Sequence, residues 1–134
     1  VTLAQAVTRP LVFPSKAPSH STRAIVDRAL EQQQRAPAAV AMEVNSVYIL
    51  KSAVEAGIGP TIMPLNLAVR EVAEGRLVAH PFAAPGVFRT LGICTCGTRP
   101  ASNLRTLIAQ LISQVVHDMC RSGEWPSTRL LPAT

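Results

Sequence analysis

Short apolar segments with the character of strands alternate with helical segments of ten or more residues along this chain. That alternation predicts an α/β fold with a mixed, largely parallel sheet. Two further observations agree. Residues 102–120 carry Leu104, Leu107, Ile108, Leu111, Ile112, Val115, Val116 and Met119 at three- and four-residue spacing, the stripe of an amphipathic helix. Residues 46–63 read as helix, glycine stop and strand in succession.

From the start, Leu11-Val12-Phe13 is an apolar run between Pro10 and Pro14, long enough for a brief buried strand. Residues 14–20 form a loop. A helix is expected from Ser21 to about Arg35, capped by Ser21 or Thr22, with Ile25, Val26, Ala29 and Leu30 on its apolar face and Pro37 ending it. Residues 39–44 read as a strand. Asn45 and Ser46 then open a helix to about Ala56 that turns Val47, Leu50 and Val54 inward. Gly57 is placed to stop that helix, and residues 58–63 read as a strand closed by Pro64. Residues 65–74 look helical up to Gly75, and residues 77–82 and 88–96 read as two more strands. Ser102 caps the long final helix and Gly123 stops it.

Composition narrows the function. The chain has 134 residues, 48% hydrophobic and 16% charged, which excludes disorder, collagen and coiled coil and gives enough length for one real core. Thirteen basic residues against eight acidic ones give a net charge of +5. The eleven arginines are spread singly, no basic run exists, and the aromatics Phe13, Tyr48, Phe82, Phe88 and Trp125 are too scattered for a base-stacking platform. A solvated arginine-rich surface is therefore preferred to direct nucleic-acid binding. Apolar runs are too short for a membrane span. Three cysteines, with no secretory leader in view, suit a reducing cytoplasm better than a disulfide framework.

Open α/β sheets receive ligands at the carboxyl ends of their strands, where helix N-termini present unpaired N–H groups. Two places fit. After residues 11–13 the loop supplies Ser15, Lys16, Ser19 and His20 just before a helix. After residue 44, Asn45 and Ser46 open the next helix. Together they suit a carboxylate, sulfate or phosphate, although each taken alone is explained by helix capping. Catalysis has no comparable support. His20, His80 and His117 lie in different elements with no acidic residue beside them, and the glycines at 57 and 59 follow a helix, the wrong order for a phosphate loop. Cys94, Cys96, His117 and Cys120 would satisfy zinc if strand and helix faced each other. The one-residue spacer between the first two argues against it, and buried apolar cysteines are the simpler reading. No cofactor is expected.

Residues 43–64, EVNSVYILKSAVEAGIGPTIMP, resemble the middle of the effector-binding domain of LysR-type transcriptional regulators. Leu11-Val12-Phe13-Pro14-Ser15 is similar to the family's strand and ligand loop, Glu74-Gly75-Arg76-Leu77-Val78 to its turn into a strand, and residues 89–96 to its returning strand. The similarity covers roughly residues 1–120, and the Pro-Ser loop with His20 and Arg23 is nearest to the nitrogen-assimilation control subgroup.

The resemblance implies a periplasmic-binding-protein-like (type 2) fold of two lobes with a small effector in the cleft. On that view residues 1–90 are lobe two, 91–120 the closing strand and helix of lobe one, and 121–134 a variable tail. The winged helix-turn-helix and the early part of lobe one are absent from this sequence, so the lobe is truncated. The implied function is sensing of an anionic metabolite by Ser15, Lys16, His20, Asn45 and Ser46, by a cytoplasmic homo-oligomer that meets DNA only through the missing N-terminal domain. The alternatives are a periplasmic-type solute-binding protein, a non-functional truncated fragment and, least favoured, a small enzyme. Since the stripe at 102–120 would rest on missing strands, the piece alone is expected to self-associate.

Overall fold

Leu11–Phe13 (β1) has three consecutive apolar residues, and all three are fully buried. Such a run belongs to a parallel strand covered on both faces, unlike the alternation of a strand with one wet side. In the structure, a computed structural model that describes residues 1–16, 21–84, 86–96, 98 and 102–131, β1 pairs in parallel with Val40–Glu43 (β2). Leu11 lies opposite Val40, Val12 opposite Met42 and Phe13 opposite Glu43, with a register shift between Leu11 and Val12. The chain divides into two compact units, Val1–Arg89 and Thr90–Thr134.

In the first unit, helices cover both faces of β1. Leu11 and Phe13 pack with Leu3, Val26, Leu30 and Ile62, which brings Leu3–Ala6 (α1) and Thr22–Gln32 (α2) to one side. Val12 packs on the other side with Leu50 and Ala53 of Val47–Glu55 (α3). The caps are those the sequence places: the Ser21 hydroxyl accepts the Ala24 N–H at 3.2 Å, and the Ser46 hydroxyl accepts the Ile49 N–H at 3.4 Å. α1 was not foreseen. It is held by a reciprocal cap in which the Gln5 N–H donates to Thr2 Oγ1 at 3.2 Å and the Thr2 N–H to Gln5 Oε1 at 2.9 Å.

α2 stops three residues before the expected Arg35. Gln34 turns left-handed at φ 54°, and the Arg35 N–H bonds back to the Leu30 carbonyl at 2.9 Å. α3 ends in the same way with a glycine at the critical position. Gly57 takes φ +76°, and the Ile58 N–H reaches the Ala53 carbonyl at 3.1 Å. The expected helix at 65–74 is broken into a 3-10 turn, Leu65–Leu67, and a short helix, Val69–Ala73 (α4), because Ala68 leaves helical geometry at φ −129°.

Three expected strands are not ladder strands. Residues 58–63 run beside β1, and the Val12 N–H donates to the Pro60 carbonyl at 2.8 Å. Pro60 has no N–H to return, so this is a tether and not a ladder. Residues 77–82 are irregular. Pro81 again lacks a donor, and its carbonyl instead accepts the N-terminal ammonium of Val1 at 2.9 Å, while the Ala83 N–H reaches the Val1 carbonyl at 2.8 Å. Residues 88–96 lie at the junction of the units and in the second. In that second unit Asn103–Ser122 (α5) is the one regular element among the described residues, and a helix offers no ladder partner.

α5 carries the expected cap, with the Arg105 N–H donating to the Ser102 hydroxyl at 3.2 Å, and ends at Gly123. Its apolar stripe is another matter. Leu104, Leu107, Ile108, Leu111, Ile112 and Val115 are all exposed, so the burial that its periodicity demands is not supplied among the described residues. No helix of the described residues is long and apolar enough to cross a membrane.

Candidate functional site

Parallel pairing of β1 and β2 puts both carboxyl ends at one edge of the sheet, and the loops that follow meet there. Ser15, two residues beyond β1, donates its hydroxyl to Asn45 Oδ1 at 2.6 Å and its backbone N–H to the same oxygen at 3.1 Å. The two residues are 30 positions apart in sequence. A backbone N–H can only donate, so the contact fixes which end of the Asn45 amide faces Ser15, and the Nδ2 group faces away with both its protons. Among the described residues no partner accepts them. Asn45 immediately precedes Ser46, the cap of α3, so the amide donors sit against the positive end of that helix's dipole.

Of the five residues expected to bind a ligand, the fold brings Ser15, Asn45 and Ser46 to this corner. Lys16 is exposed beside Ser15, and His20 lies outside the described residues. The Ser46 hydroxyl is engaged as a cap, whereas the two Asn45 amide donors have no acceptor among the described residues. No acidic side chain occupies the first turn of α3. The corner is therefore exposed and rich in donors, and the carboxylate nearest in sequence, Glu43 at the end of β2, is paired with Arg23, so the donors suit an anion.

A second polar cluster lies toward the other end of α3, and sequence reasoning missed it. Glu71 on α4 is only 7% exposed, and the Lys51 ammonium of α3 donates to its Oε1 at 2.5 Å. Arg76, just past the turn at Gly75, pairs with Glu55 of α3, donates to Glu74 Oε2 at 2.7 Å and stands 3.8 Å from Glu71. Arg70 completes the group at 3.3 Å from Glu74. The turn that resembles a family motif, residues 74–78, thus folds its arginine back onto α3. Charges about 20 residues apart leave no periodic signature. The one signal was Glu71 itself, three positions after buried Ala68 and so on the inner side of α4.

The hydrogen bond from Lys51 is the main reason that the Glu71 carboxyl titrates below the ordinary glutamate value of 4.5. Its own backbone N–H and the charges of Lys51 and Arg76 add to this, and burial opposes it. A lowered folded-state pKa means stability that is present above the unfolded value and lost as the pH falls through the folded one. Urea midpoints followed from about pH 6 to about pH 3 should therefore fall more steeply for the native chain than for Glu71→Gln. Parallel curves would show that the pair contributes nothing to acid stability.

In the second unit Cys94 and Cys96 are exposed, not the buried hydrophobes expected. They line a groove of about 420 Å³ with Ile93 and the first half of α5 up to Ile112. His117 and Cys120 lie further along the helix, where Cys120 Sγ is 3.3 Å from the Thr128 hydroxyl. At about 1.5 Å per residue, the eight positions from Ile112 to Cys120 place that thiol about 12 Å beyond the groove. Among the described residues no group of three or more His, Cys, Asp or Glu side chains is arranged to hold a metal.

Comparison with known proteins concerns the family of the chain. The family model described as the LysR substrate binding domain matches residues 1–116. The HTH-type transcriptional regulator BbuR of Bordetella bronchiseptica is 28% identical over 86 residues, which is 63% of this chain and 26% of that protein. The aligned part is thus about a quarter of the relative's length. No solved structure matches significantly. The family match takes in β1, β2, α3 and α4 together with most of α5, and the chain belongs to the family of LysR substrate-binding domains.

Proposed function

We propose that this chain is the effector-sensing part of a LysR-type transcriptional regulator and that it binds a small anionic metabolite at the corner formed by Ser15, Lys16, Asn45 and the N-terminus of α3, with His20, four positions after Lys16 in sequence, as a further candidate. The observation that carries the reading is the Ser15–Asn45 contact, which turns the Asn45 amide donors away from Ser15 beside a helix N-terminus, with no acceptor for them among the described residues. In this reading the fold is of the type 2 periplasmic-binding-protein kind with the effector in an interlobe cleft, residues 1–90 belonging to one lobe and 91–120, with α5, to the other. The protein is a cytoplasmic homo-oligomer. A metabolite that favours one arrangement of subunits over another shifts the attached DNA-binding domains with it. DNA contact then belongs to an N-terminal domain outside this sequence. The exposed stripe of α5 supports association with further chain or with another copy, since large exposed apolar patches mark such surfaces.

Sulfate is a suitable probe, read as a concentration-dependent rise in thermal midpoint at constant ionic strength. Asn45→Ala removes the amide donors and frees the Ser15 hydroxyl. A hydrogen bond to a charged group is worth about 1.5–3 kcal/mol, so the sulfate dissociation constant should rise about tenfold or more. Ser46→Ala should instead lower stability by about 1 kcal/mol through loss of the cap. Unchanged sulfate affinity in a folded Asn45→Ala chain would remove the corner from consideration.

A further inference from the structure

We propose that Lys51, Glu71 and Arg76 are positioning residues for this anion site: bracing the second half of α3 against α4 and the 74–78 turn, they set where the first turn of α3 stands relative to Ser15. The inference rests on the reading of the corner given above.

α3 is nine residues, Val47–Glu55, a rod of about 14 Å in which neither end moves without the other. Near its start the chain is tied to Ser15 by Asn45. Midway, Leu50 and Ala53 rest on Val12, a contact that is apolar and non-directional and so tolerates small slides and rotations. Directional contacts come from the ion pairs: Lys51 one turn after the start, reaching Glu71, and Glu55 at the last position, held by Arg76. Arg76 in turn is fixed by Glu74, and its own backbone N–H donates to the Glu71 carbonyl at 2.9 Å. Each end of the rod therefore has its own polar anchor, and the anchors lie on different elements.

A largely buried ion pair is a weak source of net stability, because apolar side chains of similar volume do as well or better in its place. What the pair supplies is a fixed distance and direction. An anion site built from the amide of Asn45 and the N–H groups of the first turn of α3 depends on that placement, because hydrogen bonds weaken steeply with misalignment.

Sulfate titrations of the native chain, Lys51→Met, Lys51→Arg and Arg76→Gln, each followed by thermal unfolding at constant ionic strength, test the brace. The sulfate dissociation constant is expected to rise about 2- to 30-fold in Lys51→Met and Arg76→Gln, and to stay within about twofold of native in Lys51→Arg. A purely structural role would lower the midpoint without sulfate and leave the dissociation constant unchanged, and that result in a folded Lys51→Met chain overturns the brace while leaving the anion site intact. A native chain with no sulfate-dependent shift overturns the anion site and the brace with it. Should Lys51→Met fail to fold, Arg76→Gln decides the question, since the Arg76 side chain is 39% exposed and its loss opens no cavity.

Discussion

Truncating Phe13 to alanine is expected to destabilise the first unit by about 3–5 kcal/mol, the largest effect of any single side chain in the protein. Phe13 is the largest fully buried side chain among the described residues and sits in the cluster formed with Leu3, Leu11, Val26, Leu30 and Ile62. That cluster joins α1, α2, β1 and the 58–63 segment, so a cavity there loosens four parts of the chain at once. The backbone of Phe13 would still accept the Val44 N–H at 3.0 Å, so the loss measures packing and not sheet pairing. A domain of this size has about 5–15 kcal/mol of stability, so such a variant loses a large fraction of it. Urea unfolding followed by circular dichroism is the measurement. A loss under about 1 kcal/mol would mean that Phe13 is not central to the core. A second consequence concerns the site: Ser15 lies two residues beyond Phe13, so partial loss of order at β1 should weaken sulfate binding even where the chain remains folded.

The three longest helices, α2, α3 and α5, were legible because their signals are local. Ser21, Ser46 and Ser102 each sit where a hydroxyl can take an orphan N–H, and each does so. β1 was legible because a short apolar run between prolines has few other uses, and β2 because Val40 and Met42 alternate with more exposed residues at the period of a strand. The remaining strands were not, since a strand exists only with a neighbour. Residues 58–63 have the composition of a strand, but Pro60 and the approach to β1 allow a single tether. The α5 stripe was legible as a helix face, and its exposure agrees with a face that rests on strands outside this sequence, since periodicity specifies which residues seek cover and not whether cover is present. At the candidate site, two helix starts could be picked out from capping residues alone. The meeting of the loop after β1 with the start of α3, with one asparagine oxygen taking both Ser15 donors, follows from the parallel register of β1 and β2, which no local pattern encodes. The brace of Lys51, Glu71 and Arg76 is further still from local rules, being three elements brought together by the whole first unit.

Gly59→Ala is expected to cost about 1–3 kcal/mol for a reason unrelated to backbone freedom. Gly59 is buried where the chain passes β1, and a Cβ built there would stand 2.7 Å from the Pro10 carbonyl oxygen. That oxygen cannot easily retreat. The next residue, Leu11, is fixed by its N–H to the Ala39 carbonyl at 2.8 Å, and Val12 by its N–H to the Pro60 carbonyl at 2.8 Å. The added methyl must therefore lift the 58–63 segment away from β1 and stretch the Val12–Pro60 bond, while drawing Ile62 out of the main cluster. Gly57→Ala is the instructive contrast. Nothing lies within 4 Å of a Cβ at position 57, but φ there is +76°, so its cost of about 1–2 kcal/mol is conformational and confined to the end of α3. Hydrogen exchange separates the two mechanisms. The Val12 amide should lose protection in Gly59→Ala beyond what the drop in global stability explains, and should follow global stability alone in Gly57→Ala. A Gly59→Ala chain as stable as the native one, with the Val12 amide equally protected, would show that the 58–63 segment can move off β1 without cost and that the edge of the sheet beside the candidate site is looser than its hydrogen bonds indicate.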